Sequence, residues 1–291
     1  TLVSSVRPKA FAIPKTDSAY NESALNSALR NAMDQGLPGV VVHIRSANGE
    51  YSTALGTSNT QTGAPMRIDN QFRLSGNSKA FLALAAADMH SEGLLNLDSP
   101  ISEHLPKEVV ERITNVKQVT LRQLLNHTSG IADYMNDHFL LANREEKSRH
   151  WSAEEVLSFA YDLSADFAPG TSWTMSNTNY VLAEMVVSRI AGQPIHQVIS
   201  SRVLEPLGLT DTADAFQLKK ESQLAHGYVA SRNELIDVTK TNLGGRIRAG
   251  SMVSTAKDLS RFIQSIGEVS ELGPSTEANR AEMFRALVPT G

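Results

Sequence analysis

The sequence predicts an α/β fold of the α+β kind: an antiparallel sheet flanked by helices, with a mostly helical domain beside it. Three observations predict it. Two strand-like runs meet at Asn48-Gly49, a dipeptide that favours the tight turn of a β-hairpin. Residues 79–93 are apolar nearly all round, as a helix buried on every side must be. Over residues 97–207 short amphipathic stretches alternate with turns, which reads as a run of short helices.

The elements follow in order. Ala24, Leu25, Ala28, Leu29, Ala32 and Met33 recur at helical spacing within residues 17–35, and Gly36 with Pro38 beyond it supplies the stop. Residues 40–45 and 50–56, the second run alternating through Tyr51, Thr53 and Leu55, are the two hairpin strands. Phe72-Arg73-Leu74 leads into the buried helix. Further helices are expected over residues 121–126, 153–163, 180–192, 196–207, 257–266 and 276–287. Thr120 with Gln123, and Thr255 with Asp258, have the spacing of a capping box. Strand-like sequence is almost absent after Val253. The resulting division is residues 1–75 as the helix and hairpin of a sheet domain, 76–245 as a mostly helical domain, and 246–291 as C-terminal helices returning to a sheet domain whose last strands are missing.

Composition narrows the function. With 41% hydrophobic and 20% charged residues among 291, the chain can bury a large core in one or two domains. Lys and Arg number 27 against 31 Asp and Glu, and no basic run stands out, which argues against nucleic acid or an anionic membrane as a partner. A small molecule or a peptide is the expected ligand. The absence of cysteine excludes disulfides, thiolate metal sites and a cysteine nucleophile. The eight histidines are dispersed without ligand spacing, so neither metal nor cofactor is expected. No apolar run is long enough for a signal peptide or a membrane span, and any export signal is expected to have been removed already.

Five stretches carry a resemblance: LPGVVVHI (37–44), FRLSGNSKAF (72–81), EGLLNLDSPISEHLP (92–106), LRQLLNHTSGIADY (121–134) and APGTSWTMSNTNYVLAEMV (168–186). EPLGLTDT and AGSMVSTAKDLSRF follow in the same order. Together they resemble the serine β-lactamase and DD-peptidase-like family of penicillin-recognising hydrolases. The resemblance implies a β-lactamase/transpeptidase-like fold and acyl transfer through an S-x-x-K motif at the head of a buried helix. Residues three apart share a helix face, so the lysine reaches the serine hydroxyl.

The motif lysine falls on Lys79 and the nucleophile position on Gly76, which has no side chain to acylate. Ser75, four residues before Lys79, is the alternative nucleophile if the helix start shifts by one residue. Ser78 reads as a helix-surface or packing residue. Lys79 is either a solvated lysine or, as its apolar helix favours, a buried one that seeks a partner. The family's Y-x-N motif falls on Met175, Ser176 and Asn177: the asparagine is kept, and methionine replaces the tyrosine that moves protons. Tyr180 reads as packing. The family's K-T-G or H-x-G triad has no match after Ser254, and His226-Gly227-Tyr228 reads as a loop. His127-Thr128-Ser129-Gly130 reads as a structural turn with His127 bonded to local backbone.

The resemblance thus implies a hydrolase lineage for amide or ester bonds, in D-amino-acid peptides, β-lactams or esters, disabled here at Gly76 and Met175. The alternative is a pseudoenzyme that binds a peptide or small ligand in the same cleft. A periplasmic or secreted location is expected from the family, with the cytoplasm as alternative. The hairpin needs cover, because two strands alone are marginally stable. Strands of a partner chain, or the helices at 17–35 and 276–287, are expected to provide it.

Overall fold

The computed structural model describes residues 21–46, 49–146, 149–217, 223–231, 234–239 and 251–267. Helix α1 (Glu22–Asp34) starts where Asn21 Oδ1 accepts the Ala24 amide at 3.0 Å, which satisfies one of the free N–H groups of a first helical turn. Residues 17–20 of the expected helix lie outside the described residues. Strands β1 (Gly39–Ser46) and β2 (Gly49–Asn59) form the antiparallel hairpin, and β3 (Ala64–Pro65) adds a short third strand to β2. The register pairs Ser46 with Gly49, so Gly49 stands in the ladder rather than at a corner of the turn. Asn48, the other half of the turn signal, lies outside the described residues.

Strand β4 (Phe72–Arg73) runs into one turn of 3₁₀ helix at Ser75–Ser78 and then into α2 (Lys79–Ser91). Phe81, Leu82, Leu84 and Met89 are buried, as the apolar run predicts. Each such side chain contributes roughly 1.5–3 kcal/mol on burial, which draws a helix with no polar face to the centre. Around it lie α3 (Lys107–Arg112), α4 (Leu121–Leu125), α5 (Asp137–Glu145), α6 (Ala153–Ser158), α7 (Asn177–Ala191), α8 (Ile195–Ile199) and α9 (Glu205–Leu207). Helices α7 and α8 pack directly on α2.

Strands also occur where the sequence pattern did not place them: β5 (Ala213–Asp214), β6 (Tyr228–Ser231), β7 (Glu234–Asp237) and β8 (Met252–Ser254). Strand β8 pairs with β4 on one side and β5 on the other, while β6 and β7 form a hairpin. Runs of two to four residues are too short to show a period of two. Helix α10 (Ala256–Gly267) follows, and Phe262 stacks on Phe81 with ring centroids 3.9 Å apart. The helix expected over residues 276–287 lies outside the described residues.

The two capping boxes differ. At Thr120 both bonds form: Gln123 N donates to Thr120 Oγ1 at 3.3 Å and Thr120 N donates to Gln123 Oε1 at 3.1 Å. At Thr255 only half forms. Asp258 N donates to Thr255 Oγ1 at 3.2 Å, but the Asp258 carboxylate turns away to accept from Asp211 N at 2.8 Å and Thr212 Oγ1 at 2.9 Å. That carboxylate fastens α10 to the β5 segment instead of closing its own helix start.

Two helices of the chain cover part of the hairpin, whose β1 residues stay at most half-buried. Helix α10 packs on β1, where Arg45 Nη1 donates to Gln264 Oε1 at 2.9 Å. At the other end of the ladder the Met33 methyl of α1 lies against Gly56. Among the described residues no further strand pairs with β1.

Candidate active site

Ser75, Gly76 and Asn77 are exposed at the mouth of the 3₁₀ turn, and the backbone of Ser75 is left-handed at φ 47°. Ser78 is fully buried, and its Oγ accepts the Met252 amide at 3.2 Å, which ties the head of α2 to β8. Of the two environments the sequence allowed it, helix surface or packing, Ser78 takes the packed one. Lys79 follows, half-buried.

Lys79 Nζ donates to Asn177 Oδ1 at 3.1 Å, and the Tyr180 ring lies 5.5 Å from the ammonium. Burial pulls the Lys79 pKa below its ordinary value, and the Asp133 charge opposes that pull. Asn177 opens α7 and its Nδ2 donates to Asp133 Oδ2 at 2.9 Å and to Met135 Sδ at 3.2 Å. A Cβ built on Gly76 would lie 4.0 Å from Lys79 Nζ. A hydroxyl on that carbon, in the rotamer turned to the amine, would approach the roughly 2.7–3.2 Å of a hydrogen bond. No hydrogen bond joins Ser75 to Lys79.

Met175 is 54% exposed. Ser176 between it and Asn177 is extended, at φ −135° and ψ 124°, and is buried. Tyr180 is buried as a packing residue and its hydroxyl donates to Leu125 O at 2.9 Å. Burial pushes its phenol well above the ordinary range.

The His127 turn is structural, but its bonding is not local. His127 Nδ1 accepts the Ser176 amide at 3.2 Å and the Asn179 side-chain amide at 3.2 Å. An acceptor at Nδ1 places the proton of the neutral ring on Nε2. Burial, with the Lys79 charge nearby, lowers the His127 pKa to about 4. The ring therefore clamps the segment that presents Met175 and Asn177, 49 residues away in the chain. Ser129 Oγ completes the clamp by donating to Asn179 Oδ1 at 2.6 Å.

Gly130 closes this turn at φ 68°, and a Cβ there would fall 2.0 Å from the Phe167 carbonyl oxygen. Strain and overlap each cost about 1–3 kcal/mol. Gly130→Ala is thus expected to lower stability by about 2–5 kcal/mol, read from urea unfolding; an unchanged midpoint would contradict the packing described.

His226 and Gly227 lie in a loop and Tyr228 begins β6. His226 Nδ1 is 2.6 Å from Asp237 Oδ2 and its Nε2 is 3.1 Å from Asn59 Nδ2, so the stretch links two hairpins. Among the described residues no three His, Cys, Asp or Glu side chains group as a metal ion would need, and no helix is long and apolar enough to cross a membrane. Asp133, Met135 and the His127 clamp were not found from sequence. Asp133 lies in a quoted stretch, but nothing in its spacing pairs it with Asn177.

Antiparallel strands, surrounding helices and a lysine at the head of the buried central helix define the serine β-lactamase and transpeptidase fold. Residues 25–289 match the family model described as Beta-lactamase, and the chain belongs to that family. It is 32% identical over 219 residues to Esterase EstB of Burkholderia gladioli, covering 71% of this chain and 54% of the esterase. Penicillin-binding protein 4* of Bacillus subtilis is 26% identical over 240 residues, 78% of this chain and 52% of that protein. The chain spans about half the length of these curated relatives. Among solved structures, a D-stereospecific amidohydrolase from Streptomyces sp. superposes with a TM-score of 0.74 at 29% identity, covering 89% of this chain and 76% of that one. The family is thus one of serine hydrolases, taking in esterases, amidases and penicillin-binding proteins.

Proposed function

We propose that this chain keeps a serine-hydrolase cleft for a small amide, ester or peptide but forms no acyl-enzyme in it. The observation that carries the reading is the bare α-carbon of Gly76, whose Cβ position faces Lys79 Nζ at 4.0 Å. An amine placed to activate a hydroxyl has none to activate. Met175 supports the same reading, because a thioether neither donates nor usefully accepts a catalytic proton. What the proposed cleft keeps is an ammonium and an amide, with Trp173 edge-on to the neighbouring His127 at 6.1 Å. D-amino-acid amides and peptides, β-lactams and esters are the ligand classes proposed, on the strength of the relatives.

The test is covalent labelling. A fluorescent penicillin or a fluorophosphonate, incubated with the purified chain and followed by intact mass, is expected to leave the mass unchanged. A labelled peptide carrying Ser75 would overturn the reading. In parallel, calorimetric titration with a D-amino-acid amide is expected to give saturable binding that weakens in Lys79→Met.

A further inference from the structure

We infer that Asp133 is a positioning residue of this cleft: its carboxylate takes the amide end of Asn177, leaves the carbonyl end to Lys79, and so fixes the place and the proton of the Lys79 amine. The inference holds whether or not an acyl-enzyme can form.

The three groups stand in series. Asp133 Oδ2 accepts from Asn177 Nδ2 at 2.9 Å, and Asn177 Oδ1 accepts from Lys79 Nζ at 3.1 Å. A primary amide presents a donor at one end and an acceptor at the other, and its partners decide which end faces which way. An ionised carboxylate only accepts and an ammonium only donates, so the two impose a single orientation on the amide between them. Met135 Sδ, a weak acceptor 3.2 Å from the same nitrogen, favours the same orientation. No direct ion pair joins Asp133 to Lys79; the amide stands between the charges.

Asp133 is itself preset. Its Oδ1 accepts the Met135 amide at 3.1 Å, a local turn that holds the side chain. On either side of it the backbone is fastened to Thr178, the residue after Asn177: Tyr134 N donates to Thr178 Oγ1 at 2.9 Å, and that hydroxyl donates to Ala132 O at 2.7 Å. Carboxylate and amide are thus held in register by one threonine.

Among the described residues the other titratable groups near Lys79 and Asp133 are His127, Tyr180 and Tyr134, whose phenol burial and the Asp133 charge keep protonated. His127 is neutral at any pH well above 4 and Tyr180 keeps its proton on Leu125 O. None of these carries charge near neutral pH, which leaves Asp133, among the described residues, as the counter-charge opposing the burial of the amine.

The experiment follows the Lys79 Cε–Hε resonance of the isotopically labelled chain against pH, the peak being assigned by its loss in Lys79→Arg. Asp133→Asn keeps an acceptor oxygen and removes the charge. The Lys79 midpoint is expected to fall, while the Asn177 side-chain amide protons stay slow to exchange. Asp133→Ala removes both, and those protons are expected to exchange fast as well. Asp133→Glu is expected to bring the midpoint back towards the original. A midpoint unmoved in Asp133→Asn, or Asn177 protons still protected in Asp133→Ala, overturns the inference. Lower thermal stability with an unmoved midpoint also overturns it, since that is what a merely structural residue would do. Should Asp133→Ala fail to fold, the isosteric Asp133→Asn decides alone.

Discussion

Exchanging residues 75 and 76, by Ser75→Gly with Gly76→Ser, is expected to turn a chain that a fluorophosphonate leaves untouched into one that it labels at position 76. The backbone argues for that order. Position 75 is left-handed at φ 47°, a conformation that costs an L-residue roughly 1–2 kcal/mol and glycine almost nothing. Position 76 has no such demand, and a Cβ there meets nothing closer than Lys79 Nζ at 4.0 Å. Each residue thus occupies the place suited to the other. The exchanged chain is expected to be more stable by about 1–2 kcal/mol in urea unfolding, and to gain the mass of one adduct on the peptide that contains position 76. Labelling of the original chain on Ser75, or an exchanged chain that is both unlabelled and less stable, would show that the 3₁₀ turn at Ser75–Ser78 is not built for a nucleophile at 76.

Adding Met175→Tyr to the exchanged chain is expected to raise steady-state hydrolysis of an activated ester or a chromogenic β-lactam by about 10²–10⁴. Gly76→Ser by itself, with or without Ser75→Gly, should acylate and then turn over slowly, since nothing at position 175 moves a proton. Residue 175 lies two positions before Asn177, which accepts from Lys79 Nζ at 3.1 Å, and a phenol there is expected to reach that amine. Made alone in the original chain, Met175→Tyr is expected to give no turnover, because the two positions act as a unit and the effects are not additive. Turnover by the exchanged chain equal to that of the triple variant would show that a tyrosine is dispensable here, and would shift the proton path to Lys79 alone.

Much of the frame was legible in the residues. The apolar run after Lys79 required a buried helix, and α2 is one; the runs on either side of Asn48-Gly49 required a hairpin, and β1 and β2 form it. Thr120 and Gln123 lie three apart and close their box. Local chemistry of this kind acts over a turn or two, so spacing along the chain displays it. Asp258 has the same spacing from Thr255 and fails to close, because Asp211 N and Thr212 Oγ1 offer its carboxylate partners that only folding brings near.

The site divides along the same line. That glycine stands at 76 and methionine at 175, where the proposed reading looks for a nucleophile and a proton carrier, is read from residue types alone; no coordinates are needed to see that glycine has no hydroxyl. The tertiary structure alone decided that Asn177, 98 residues from Lys79, turns its carbonyl to the amine, that Asp133 holds its other end, and that His127 clamps the segment between. It alone decided that Ser75 is left-handed. These are contacts between groups far apart in the chain, each set by burial and by the need of every buried donor to meet an acceptor, and neither periodicity nor spacing records them.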